Sequence, residues 1–133
     1  QPGVGHVNNF RAAEMYLIEA EAKCHLGGKD AEIQQLLIEL TQGSGRDPEY
    51  TCDKTGADLL EEVYLYRRIE LWGEGFDWFD QKRWNNTIVR KAHPEGSFHS
   101  SFAITMTPEM ENKWTWVYPA KEVLYNSEVD YRE

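Results

Sequence analysis

Apolar residues recur at three- and four-residue intervals in Phe10, Ala13, Leu17, Ala20 and Cys24, and the run stops at Gly27-Gly28. Such a stripe lies on one side of the chain only when the chain is helical, so the segment from Asn9 predicts an α-helix with one face to be covered. Asn8 or Asn9 suits its start and the glycines its end. Ala13 and Ala20 keep the covered face shallow, which lets a second helix approach closely. That second helix is predicted from Lys29-Asp30 to about Thr41, with Ile33, Leu36, Leu37 and Leu40 inward and Gly43-Ser44-Gly45 as its stop. Together they form an antiparallel hairpin the length of one tetratricopeptide-type unit, about 34 residues, although one unit does not establish a repeat.

Residues 46–56 carry Pro, Gly, Asp and Thr and read as a loop. A third helix is predicted from Ala57 or Asp58 to about Trp72, burying Leu60, Val63, Tyr64 and Leu71. Gly73 and Gly75 interrupt it, and Phe76 to Trp84 reads as a short fourth helix. Trp72, Trp78, Phe79 and Trp84 flank this stretch at near-helical intervals and are assigned to the core. Asn85 to Ser100 is loop-like, with Pro94 and Gly96. Ser101 to Met106 and Trp114 to Tyr118 alternate as two strands joined by Pro108 to Asn112, and a helical turn is expected around Lys121 to Tyr125. The expected fold is mainly α, with tetratricopeptide-like hairpins and a small β-hairpin and loop appendix. Its helical core spans residues 9–84, and residues 85–133 supply the loop, hairpin and C-terminal segment.

Charge and composition exclude several functions. The 133 residues suit one domain or a piece of a larger one, and 14 Lys plus Arg against 23 Asp plus Glu give a net charge of −9. A chain this acidic does not bind nucleic acid through release of phosphate counterions, and nothing draws it to an anionic membrane surface. No apolar run approaches the roughly 20 residues of a membrane span. The sequence opens at Gln1 with no cationic and apolar leader, so it reads as a processed or excised segment with any targeting signal upstream. Cys24 and Cys52 lack metal-ligand spacing; Cys24 lies on the apolar stripe as a small hydrophobe, and a Cys24–Cys52 bridge stays open as an alternative. His6, His25, His93 and His99 are too dispersed for a metal triad, and the Asp47–Asp53 loop lacks the spacing and Gly of a Ca²⁺ loop. Neither a metal nor a cofactor is expected.

The most informative stretch is Tyr66-Arg67-Arg68-Ile69-Glu70-Leu71-Trp72-Gly73-Glu74-Gly75-Phe76-Asp77-Trp78-Phe79-Asp80-Gln81-Lys82-Arg83-Trp84. At about 100° per residue, Leu60, Val63, Arg67, Glu70, Leu71 and Glu74 share one face. Arg67 therefore enters an apolar stripe, where an unpaired charge costs several kcal/mol, on the order of 3–5. Glu70 and Glu74 are placed either to pair with it or to take cations from a neighbouring helix. Glu70, Glu74, Asp77 and Asp80 could also be read as acid/base carboxylates of a glycoside hydrolase. Arg67, Arg68, Lys82 and Arg83 nearly balance those acids, whereas a catalytic acid needs an apolar or acidic setting that raises its pKa. The balance favours a structural ion-pair motif of Arg67, Arg68, Glu70, Glu74, Asp80 and Arg83, with no catalytic residue.

Three segments also carry a resemblance. Residues 10–22, from Phe10-Arg11-Ala12-Ala13-Glu14 onward, look like the "RxAExYLxxAEA" helix of the SusD/RagB family of outer-membrane nutrient-binding lipoproteins. The 66–84 stretch is similar to that family's "ERRxELxxEGxRxxDxxRW" signature, and Trp116-Val117-Tyr118-Pro119-Ala120-Lys121-Glu122 with Asn126 resembles its closing "PIPxxEIxxNP". The matches fall in family order. Tyr66, Asp77, Ala120 and Ser127 depart from the pattern. The resemblance covers the family's C-terminal portion and implies a non-catalytic protein on the extracellular face of the outer membrane. It would be held there by a lipid anchor outside this sequence and would pass oligosaccharide or another nutrient to a SusC-like TonB-dependent transporter.

Aromatic faces and hydroxyl-directed polar groups are what such a ligand needs. Trp114 and Trp116, separated by Thr115, project to one side of an extended segment and are the candidate ligand-binding residues. The competing role for both is packing over the core. Arg90, Lys91, His93 and His99 in the 85–100 loop offer a further polar surface. An alternative function is a helical scaffold whose only partner is another protein.

Overall fold

The computed structural model describes residues 11–110 together with Trp114, Thr115 and Tyr125. Phe10, His6, Trp116 and most of the closing segment, including the strand expected to Tyr118 and the turn from Lys121, lie outside the described residues. The chain is mainly helical, with a small two-stranded antiparallel sheet, and divides into two compact units, residues 1–77 and 78–133.

In the first unit, α1 spans Ala12–Leu26, α2 spans Asp30–Gly43 and α3 spans Gly56–Glu70. Gly27 and Gly28 both have positive φ, 73° and 68°, so the chain reverses within three residues between α1 and α2. Leu17 and Ala20 of α1, Ile33, Leu37 and Leu40 of α2, and Leu59, Val63 and Leu71 of the third segment form one buried cluster with Tyr50. Ala13, Cys24 and Leu36 pack against it, partly buried. The stripes of α1 and α2 therefore face where their spacing predicts.

The third helix is rotated by about one residue from expectation. Leu59 is fully buried and Leu60 only partly, and the covered face runs through Glu62, Val63, Arg67 and Glu70. Three charged residues on a buried face mask its apolar period, which is why Leu60 looked like the better core position. Two of the four flanking aromatics are also corrected. Trp72 is 84% exposed and Phe79 is 64% exposed, so neither is core, while Trp78 and Trp84 are half-buried. Leu65 and Ile69 form an outward apolar stripe along α3, and exposed Trp72 follows in the turn just beyond its end. Gly73 and Gly75 take φ of 79° and 88°, a backbone that breaks the helix between Glu70 and Phe76.

In the second unit, α4 ends at Arg83, having begun at Phe76. Its end is a Schellman turn: the Asn86 N–H donates to the Gln81 carbonyl at 3.0 Å and the Asn85 N–H to the Lys82 carbonyl at 3.2 Å. Asn85 sits at φ 54°, the left-handed position that Asn tolerates better than other non-glycine residues. The sheet pairs β1, Ile88–Arg90, with β2, Ile104–Met106, in the register Ile88↔Met106, Val89↔Thr105 and Arg90↔Ile104. The expected strand over 101–106 is thus shortened to its last three residues. Its partner comes from the segment read as loop, because three residues between Thr87 and Lys91 are too few to display a period of two. Trp114 and Thr115 form a bend.

Candidate functional site

The acids of the 66–84 motif take their cations from several segments. Arg11, at the N-terminal edge of α1, places Nη1 3.1 Å from Glu70 Oε1 and Nη2 2.7 Å from Glu74 Oε1. The other oxygen of Glu70 meets Arg46 Nη2 at 3.0 Å. Glu70 is thus buried between two guanidinium groups from before α1 and after α2. Arg67 is 6% exposed, with its guanidinium carbon 5.5 Å from the Phe76 ring centroid. Arg68 Nε bonds Asp77 Oδ1 at 2.9 Å, both side chains being exposed. Within the second unit, Arg83 Nε bonds buried Asp80 Oδ1 at 2.8 Å and its guanidinium stacks 5.0 Å from the Trp84 ring.

A second polar cluster carries no sequence signature. The Tyr50 hydroxyl donates to Glu62 Oε1 at 3.0 Å, and Lys54 Nζ is bonded to Glu62 Oε2. The Tyr50 ring meets Tyr66 edge-on at 4.8 Å. Burial pushes the Tyr50 phenol far above its usual range, with Cys52 and Glu62 beside it adding to the rise. Tyr50 arrives from an irregular loop and Glu62 from the buried face of α3, so no spacing in the sequence connects them. Cys24 and Cys52 are both free thiols. Burial raises the Cys24 pKa, and Asp30 and Glu21 add to it.

Trp114 is 4% exposed. Its indole N–H donates to the Thr107 carbonyl at 2.8 Å and its ring lies 5.2 Å from that of Trp78, so the side chain is fixed as a wall, with no free stacking face. That wall belongs to a cleft of about 350 Å³ lined by Lys82, Asn85, Pro108, Trp114 and Thr115. Lys82 and Asn85, which the sequence reading left out of the ligand site, stand on the end of α4; Pro108 and Trp114 provide the apolar side. Lys82 Nζ donates to the Trp114 carbonyl at 3.4 Å. Trp116 lies outside the described residues, as does any platform it would complete with Trp114. No described group of three or more His, Cys, Asp or Glu side chains is arranged to hold a metal ion.

Residues 4–133 match the SusD family. The fold is similar to the crystal structure of a SusD-like carbohydrate binding protein from Bacteroides vulgatus ATCC 8482, with a TM-score of 0.63 and 31% sequence identity. That similarity covers 92% of this chain and 29% of the other, so the present chain spans less than a third of the length of the protein it resembles. No curated protein matches the chain.

Proposed function

Because the chain belongs to the SusD family, we propose that it acts in a non-catalytic, glycan-binding protein of the outer-membrane surface. In this role it delivers captured oligosaccharide to a SusC-like TonB-dependent transporter. The observation that carries this reading is the 31% identity, over 92% of the chain, to a SusD-like carbohydrate binding protein. The local chemistry agrees with binding in preference to turnover. Glu70 and Asp80, the two buried acids of the charged motif, are each engaged by a guanidinium, the geometry of a structural ion pair. The cleft beside Trp114 combines an apolar wall with an ammonium and a carboxamide, the mixture by which sugars are held. In this reading a lipid anchor attaches the intact protein to the membrane.

The test is calorimetry of the protein against neutral and acidic oligosaccharides, with product analysis after long incubation. The expected result is micromolar-to-millimolar binding of at least one glycan and no released sugar. Turnover that disappears in Glu70→Gln would overturn the non-catalytic assignment. A scaffold reading draws on the exposed side chains of Leu65, Ile69 and Trp72, which suit contact with protein. It predicts transporter co-purification without glycan affinity.

A further inference from the structure

We infer that the cleft at the end of α4 is a subsite for a sugar unit bearing a carboxylate, a hexuronate, with Lys82 as the group that recognises the charge; this rests on the glycan-binding reading above. The chain carries nine more acids than bases, and most of its described lysine and arginine ion pairs are made with its own carboxylates. Lys82, like Arg90 and Lys91, has no carboxylate partner among the described residues, and its bond to the Trp114 carbonyl is long at 3.4 Å. Of these three cations it is Lys82 that borders the cleft, with ammonium donors beyond that one bond.

The rest of the lining fits a ring and excludes looser chemistry. Pro108 and Trp114 make an apolar wall, and Asn85 offers an amide group for sugar hydroxyls. A volume of about 350 Å³ lies near the lower bound of the roughly 300–1,000 Å³ of ligand clefts, enough for one sugar unit with part of a second. The Schellman turn fixes the backbone of Asn85 relative to that of Lys82. The same turn engages the Gln81 and Lys82 carbonyls, and Trp84 N–H engages that of Asp80 at 2.9 Å. The negative end of the helix is thereby capped.

The experiment is titration calorimetry of the chain with trigalacturonate, with a neutral galactose trisaccharide, and with an acidic tripeptide of equal charge, using wild type and Lys82→Gln. The wild type should bind the uronate about two- to fivefold tighter than the neutral sugar, the range of a solvent-facing ion pair, and the preference should shrink as salt is added. Lys82→Gln should abolish the preference for the uronate, so that the two sugars bind equally. Equal wild-type affinities, a preference that survives Lys82→Gln, or equal binding of the peptide would each overturn the subsite and leave glycan binding standing. Binding of neither sugar would overturn the subsite, and the glycan-binding reading falls only if the wider oligosaccharide panel also fails to bind. Amide shifts in a ¹⁵N spectrum of Lys82→Gln confined to the α4 end would show that the variant is folded, so that its result counts.

Discussion

Arg11 and Glu70 stand 59 residues apart in sequence and meet twice: Arg11 Nη1 donates to the Glu70 carboxylate at 3.1 Å and Nη2 to its backbone carbonyl at 2.6 Å. One side chain thus neutralises the last residue of α3 and also caps one of that helix's terminal carbonyls. Arg46 reaches the same carboxylate from the loop after α2. Three segments distant in sequence converge on one buried acid.

Removing Arg11 leaves Glu70 with Arg46 as its remaining cation among the described residues and uncaps the helix end. Arg11→Ala is expected to lower stability by about 1–3 kcal/mol, the range for hydrogen bonds to charged groups. Urea unfolding would measure it. Glu70→Ala should cost at least as much, since it strands Arg46. The double variant should fall short of the sum, because both substitutions break the same contact.

Tyr50 predicts behaviour in alkali. Its folded pKa is raised above the unfolded value of about 10, so its contribution is intact below that pH. It is lost as pH climbs through and beyond 10, where the unfolded phenol ionises and the buried one does not. The midpoint of urea unfolding should decline above pH 10, and Tyr50→Phe should flatten the decline. At neutral pH Tyr50→Phe should cost about 1–2 kcal/mol for the bond to Glu62.

Glu32 governs the acid side. Lys23 and Lys29 hold its carboxyl below the usual range, and Lys23 bridges to it from α1 at 2.8 Å. A depressed acid stabilises above its unfolded pKa of about 4.3 and stops doing so as pH falls through its lower folded value. Acid titration of stability should therefore be shallower in Glu32→Gln. Because the pair is solvent-facing, added salt should erase most of the difference.

The rotation of α3 is testable with neighbouring leucines. Leu59 is 0% exposed, and Leu59→Ala should cost about 3 kcal/mol through lost burial and the cavity left behind. Leu60→Ala should cost distinctly less. Equal losses at the two positions would contradict the observed face. Trp72→Ala should change stability by less than about 0.5 kcal/mol, as befits an exposed side chain.

These outcomes bear on what could be read in the residues. The stripes of α1 and α2 are legible because their buried faces hold Leu17, Ala20, Ile33 and Leu37, which are apolar and regularly spaced. The phase of α3 is not, because Glu62, Arg67 and Glu70 occupy its covered face, and Glu62 and Glu70 take partners from other segments. Charge is a poor guide to exposure where an ion pair replaces water. Trp72 and Phe79 fail in the opposite direction: aromatic character near a core-like motif does not say which face is covered. In the candidate site, Trp114 was legible as an aromatic beside a polar loop. Lys82 and Asn85 were not, since only the Schellman turn and the bend at residues 114–115 reveal that they share a cleft.

The raised pKa of Cys24 has a kinetic consequence. Only thiolates attack alkylating reagents rapidly, and Cys24 packs partly buried against the cluster that joins α1 to α2. Its labelling by iodoacetamide should therefore lag until the hairpin parts, so the rate at which this sulfur is capped would clock how often the first two helices separate in otherwise native solution.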